Sequence, residues 1–171
     1  CPALCDAMIA DGLSGGAAEN WSAATCIEWL VRANLFTITL DAKRQWYRYH
    51  HLFRDMLRRQ AAAALSREQH DVLHRRAAEW FARQHLFDEA LRHALAAGDL
   101  DLAVQIAEEG LPDVHNREDW LTLERWLGLL PPALVESRPW LLVMKAWILQ
   151  FTWQLGAQLR VLDQIETLLG Q

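Results

Sequence analysis

The chain has 171 residues, 52% hydrophobic and 23% charged, with a net charge of −5. That length and apolar content suit one domain or two small ones with a real core, and exclude a disordered tail. The longest apolar stretch, Trp140 to Phe151, is broken by Lys145 and Gln150 and falls short of the roughly 18 residues a membrane span needs. Cys1, Cys5 and Cys26 form an odd set without a second pair at zinc-ligand spacing, so they read as free thiols in a reducing cytoplasm. The chain begins at a cysteine and carries no secretion signal, which suggests a piece of a longer cytoplasmic protein. Its negative balance argues against nucleic-acid binding by the whole chain. Yet Asp41 to Arg76 holds nine Lys or Arg against four acids.

In chain order, a short helical start is followed by the loop-like DGLSGGAAEN, Asp11 to Asn20. Ser22 can cap a helix over Ala23 to Asn34, where Cys26, Ile27, Leu30 and Val31 recur at one-turn spacing. LFTITL, the polar DAKRQ and the alternating WYRYH make a β-hairpin. After His51 the period becomes helical, with Leu52, Phe53, Met56 and Leu57 on one face. Helix, loop, helix, hairpin, helix is the order of a winged-helix unit, assigned here to residues 1–64.

Residues 65–171 show no further strand signal. Ser66 and Gln69 form a capping box before a helix carrying Leu73, Ala77, Trp80 and Phe81 on one side. Asp88 can cap a helix with Ala90, Leu91, Ala94 and Leu95; Gly98-Asp99 closes it and opens another with Leu102, Ala103, Ile106 and Ala107. A loop is expected at Pro112 to Asn116, then a helix with Leu123, Trp126, Leu127 and Leu130, stopped by Pro131-Pro132. Pro139 fits the first turn of a helix through Phe151 that is apolar all round and should be buried between neighbours. Ile148 to Gln158 loosely echoes Trp80 to Ala90, so that Phe87 and Leu155 correspond at twice the ~34-residue tetratricopeptide period. The expected fold is therefore mostly α: a winged helix with one hairpin, followed by TPR-like antiparallel helical repeats of an α-solenoid.

Chemistry-bearing motifs are sparse. There is no phosphate-binding G-x-x-x-x-G-K-[ST], and Ser14-Gly15-Gly16 is too short to cradle phosphates. No zinc-protease or nucleophile-elbow motif occurs, so the chain is not read as an enzyme and no catalytic residue is assigned. His70 and His74, four apart on one helix, lack a third ligand; no metal is expected. Most of the tryptophans belong to helix packing. The Ala23 to Asn34 helix, which would read DNA in a winged helix, offers only Arg32 beside Glu28 and exposes Trp29. His50 and His51 stand where a strand gives way to a helix. There, free backbone N–H groups and the positive end of the helix dipole favour an anion, and imidazole can donate to phosphate. A capping or packing role accounts for the same placement.

At these residues the chain resembles a known family. The run Asn34-Leu35-Phe36, the stretch Trp46 to Phe53 (WYRYHHLF), Leu73 to Phe81 (LHRRAAEWF) and Asp88 to Asp99 (DEALRHALAAGD) look like the middle of MalT-like, LuxR-type transcriptional regulators of the STAND class of signal-transduction ATPases. Arg125-Trp126-Leu127, Leu130-Pro131 and Ser137 to Leu141 resemble the start of that family's helical sensor. The resemblance implies an upstream nucleotide-binding domain, this winged helix, the first sensor repeats and a helix-turn-helix after Gln171. It further implies ATP or ADP bound by the parent protein, which hydrolyses ATP slowly, with no cofactor held by this chain. The implied partners are the upstream domain, an unidentified inducer or regulatory protein, and DNA through the downstream domain; no membrane is involved, and self-association of the chain is a further expectation. In the STAND class a winged-helix histidine within a Met-His-Asp motif touches the β-phosphate of ADP. Tyr49-His50-His51 can be laid on that motif, which implies a nucleotide-sensing role for His50 and, by adjacency, for His51; Tyr49 and His51 depart from its methionine and aspartate. The rival functions are a helical-repeat protein–protein interaction scaffold and a directly DNA-binding winged helix.

Overall fold

The computed structural model describes residues 1–9, 22–33, 35, 37–43 and 45–170; the expected loop at Asp11 to Asn20 lies outside the described residues. The chain divides into two compact units, residues 1–80 and 81–171. The sequence boundary expected after residue 64 falls at the break between two helices inside the first unit.

In the first unit α1 (Pro2–Ile9) packs on α2 (Ala23–Arg32), which borders β1 (Thr37–Thr39). Ser22 caps α2 as expected: its Oγ accepts the Thr25 N–H at 3.2 Å. Asp6 of α1 accepts the Ala23 N–H at 3.1 Å, so a carboxylate joins the Ser22 hydroxyl at the positive end of α2. β1 pairs antiparallel with β2 (Tyr47–Tyr49), Ile38 opposite Arg48. The turn closes on one carboxylate oxygen, Asp41 Oδ1, which accepts from the N–H groups of Gln45 and Trp46 at 2.9 and 2.7 Å.

The chain then enters α3 (His51–Ala64) and α4 (Arg67–Arg83), the latter running across the division between the units. Ser66 and Gln69 make the expected capping box: Ser66 N–H donates to Gln69 Oε1 at 2.8 Å, and Gln69 N–H to Ser66 Oγ at 3.2 Å. The stripe expected along α3 is only half covered. Phe53 and Leu57 are partly buried, but Leu52 and Met56 are 68% and 44% exposed. Successive helix residues differ by about 100° in direction, so 52 and 56 form a flank distinct from 53 and 57.

The second unit is a succession of helices: α5 (Phe87–Ala96), α6 (Leu100–Asn116), α7 (Trp120–Leu129), α8 (Pro132–Ser137), α9 (Pro139–Phe151) and α10 (Leu155–Leu169). Each long helix packs on a neighbour, α5 on α6, α6 on α7, and α9 on α6, α7, α8 and α10. Leu91, Ile106, Val114, Leu141, Leu142 and Met144 are fully buried between them.

The repeat is written in the turns. His85, Glu118 and Trp153 all take φ near +56°, at spacings of 33 and 35 residues. After each, the next N–H reaches back five residues: Leu86 to the Phe81 carbonyl at 3.0 Å, Asp119 to Val114 at 3.1 Å, Gln154 to Leu149 at 2.8 Å. This is the Schellman ending, which satisfies carbonyls left open at a helix C-terminus. Gly98, φ +68°, makes the same ending between α5 and α6. Phe87 and Leu155, paired in sequence, each open the helix that follows such a turn.

The structure corrects two expectations. Pro112 to Asn116 is not a loop; α6 continues to Asn116 with Pro112 exposed inside it. The missing N–H removes one bond, but buried Leu111 and Val114 on the opposite side anchor the same turn. Asp88 does not cap α5: Leu86 holds that position, and the carboxylate instead accepts from Arg125 Nη2 and Trp126 Nε1 of α7. Pro131-Pro132 stops α7 as expected, and Pro132, whose fixed φ suits a first turn, also opens α8. α9 is buried between neighbours as expected: no residue from Leu141 to Leu149 is exposed, and Trp140 and Phe151 are exposed only at its two ends.

Candidate functional site at the head of α3

β2 ends at Tyr49, and His50 is the last extended residue, φ −55° and ψ 142°, before α3 begins at His51. His50 caps the helix through its carbonyl, which accepts the Arg54 N–H at 2.9 Å, rather than through its ring. The first turn of α3 contains no acid, so nothing on it neutralises the positive dipole end. His50 is half-buried with Nδ1 shielded from solvent, and His51 is exposed. Their ring centroids are 4.2 Å apart at a 37° tilt, so the fold brings together the two histidines singled out by the sequence.

Beside them Tyr49 meets the edge of Phe53 at 5.4 Å, which fixes the strand end against the helix. Burial pushes the Tyr49 phenol up, with Cys5 and Cys26 adding to the effect, so a thiol from α1 and one from α2 lie near the same ring. Burial likewise raises the Cys5 thiol. The cysteines are free thiols. Sequence reading missed this α1–α2–β2 meeting, since no spacing signals it. It also missed Arg76 of α4, whose Nη1 donates to the Met8 carbonyl at 2.9 Å. His70 and His74 sit one turn apart on α4, where burial and then His70 lower His74; among the described residues no cluster of three metal-type ligands occurs.

A cleft of about 340 Å3 lies between α2 and the hairpin, lined by Glu28, Val31, Arg32, Lys43 and Tyr47. Arg32 lies 3.9 Å from Glu28, and Trp29 stands exposed beside them. The helix that would read DNA thus spends its one cation beside its own acid, as its sequence suggests.

A helix pair, a two-stranded wing and a third helix define a winged-helix unit, and the antiparallel helices beyond it define a helical-repeat segment. Residues 1–71 match the model of the MalT winged helix domain, and this part of the chain belongs to that family. The transcriptional regulator MalT of Vibrio campbellii is 34% identical over 124 residues, and that of Cronobacter sakazakii 35% over 124, covering 72% of this chain and 14% of each relative. The serine/threonine-protein kinase PknK of Mycobacterium tuberculosis is 31% identical over 160 residues, 94% of this chain and 14% of that protein. The chain therefore spans about one seventh of the length of the relatives it matches. No solved structure matches it. Among the described residues no helix is long and apolar enough to cross a membrane.

Proposed function

We propose that this chain is the regulatory segment of a cytoplasmic, ATP-dependent, LuxR-type transcriptional regulator, coupling the nucleotide state of an upstream domain and the binding of an inducer to DNA binding by a helix-turn-helix beyond it. The observation that carries the reading is the head of α3, where His50 and His51 stand together at an uncompensated helix N-terminus within the part of the chain matched by the MalT winged helix domain. An ADP phosphate supplied by the upstream domain would meet backbone N–H groups and an imidazole donor there. Exchange for ATP would remove that contact and shift the population toward a released winged helix.

In this reading the segment performs no chemistry; ATP is bound and slowly hydrolysed in the upstream domain. The similarity of the same stretch to both transcription regulators and a protein kinase supports a connecting role, since proteins with such different named outputs carry it. It also favours the second reading, a helical-repeat scaffold for protein partners.

The test is ADP affinity in a chain that includes the nucleotide-binding domain. His50→Ala should weaken ADP binding by about tenfold or more, the value of one charge-assisted hydrogen bond, and raise basal transcription. Unchanged affinity with intact folding would return both histidines to packing.

A further inference from the structure

We propose that the groove formed by α7, α8 and α9 docks a basic amphipathic helix from a partner protein. This site is separate from the histidines at the head of α3 and does not depend on their role. Its volume is about 370 Å3, and its floor is apolar, with Leu130, Val135 and Ile148 buried and Leu127 half-buried. Glu124 and Glu136 stand exposed on its rim, and among the described residues neither is in an ion pair. Lys145 is the one cation in the lining. Past Glu136 the surface continues into a second depression of about 310 Å3 that adds Asp163 and Leu168. Carboxylates thus border an apolar track, in a unit whose residues 81–171 hold thirteen Asp or Glu against seven Lys or Arg.

Gly128 supplies an independent observation. It is the last but one residue of α7, and a Cβ there would touch nothing within 4 Å. Folding of the chain therefore gives no packing reason for a glycine, while a side chain at this position would project into the groove it lines.

The shape of the occupant follows from what the walls lack. Among the described residues of 81–171 there is no strand edge to which an extended peptide could add, and the walls are helices whose backbone groups are already bonded. A helix satisfies its own backbone and presents apolar side chains one turn apart to an apolar floor, with Lys or Arg on its flanks facing Glu124, Glu136 and Asp163.

The probe is a fluorescein-labelled helical peptide of about five turns, with leucines on one face and lysines on the other, titrated against the 171-residue chain by anisotropy. Saturable one-to-one binding is expected. Glu124→Gln/Glu136→Gln should weaken it about tenfold by removing both rim charges, and Gly128→Leu should abolish it by filling the groove while circular dichroism stays helical. Glu108→Gln/Glu109→Gln, which removes the same charge from α6, should leave it unchanged. No binding, equal binding of a Leu/Glu peptide, equal loss in the α6 control or full binding by a folded Gly128→Leu chain would each overturn the proposal. So would self-association, read by sedimentation, that Gly128→Leu abolishes, since the occupant would then be a second copy.

Discussion

Three residues in the left-handed region carry the turns between repeats, and none of the three is glycine. Left-handed backbone costs a side-chain-bearing residue about 1–2 kcal/mol. Among the described residues Glu118 is in no ion pair, and it stands exposed, so Glu118→Gly should raise the melting temperature by about 2 °C, the strain relief exceeding the entropy glycine adds to the unfolded chain. At Gly98 the reverse substitution to alanine, sterically open but at φ +68°, should cost about 1 kcal/mol in urea unfolding. The neighbour of Glu118 reports on pH. Asp119 caps α7, and the Thr122 hydroxyl at 2.8 Å, then the Thr122 N–H at 3.2 Å, hold its carboxyl below the ordinary carboxylate range. A depressed folded value means stability that is fully present above the unfolded pKa of about 4 and is lost as pH falls through the lower folded value. Thr122→Val, which removes the hydroxyl, should move the Asp119 carboxyl titration seen by NMR upward and raise the midpoint of acid unfolding. An unchanged titration would assign the shift to the backbone donor alone.

At the scale of elements, what was legible is what is local. Ser22, the Ser66/Gln69 box and Asp99 cap their helices because donor and acceptor lie three residues apart, a distance a sequence displays directly. The period change expected after His51 located the head of α3 to within a residue, and with it both histidines. Asp88 was misread because its partners, Arg125 and Trp126, lie 37 and 38 residues on, and only the fold brings α7 over α5. Truncating Asp88 to alanine should cost about 2–3 kcal/mol, since the indole N–H of Trp126, a residue 2% exposed, would lose its acceptor; Asp88→Asn keeps an acceptor and should cost less than half of that. The loop expected at Pro112 failed for the related reason that buried Leu111 and Val114 outweigh one missing hydrogen bond. Gly110 shows the same dependence on packing. Its Cβ would fall 2.7 Å from Phe87 Cγ and 2.7 Å from Trp126, so Gly110→Ala should destabilise by about 1–3 kcal/mol through overpacking, although alanine is the better helix former. A gain in stability would mean that both rings can move aside.

For the whole molecule the decisive quantity is how charge is shared along the chain. Residues 1–80 hold ten Lys or Arg against nine Asp or Glu, so the local basic excess around the wing is nearly cancelled within its own unit, and residues 81–171 are strongly acidic. A protein that neutralises several phosphates shows affinity that falls steeply with salt, because each contact releases a counterion. Here the helix positioned to enter a groove keeps Arg32 beside Glu28, leaving Lys43 and Arg48 on the hairpin as exposed cations without a cationic reading helix. The chain should therefore bind random duplex DNA with a dissociation constant no tighter than about 10⁻⁴ M at physiological salt, the weak end of non-specific binding, in an anisotropy titration from 50 to 200 mM salt. Glu28→Lys, which frees Arg32 and adds a cation on the same face, should tighten that binding and steepen its salt slope by about one phosphate contact or more. If the unaltered chain already binds in the micromolar range with a slope of several contacts, the hairpin cations suffice on their own, and the winged helix would be a DNA reader rather than a relay between a nucleotide domain and the helical repeats.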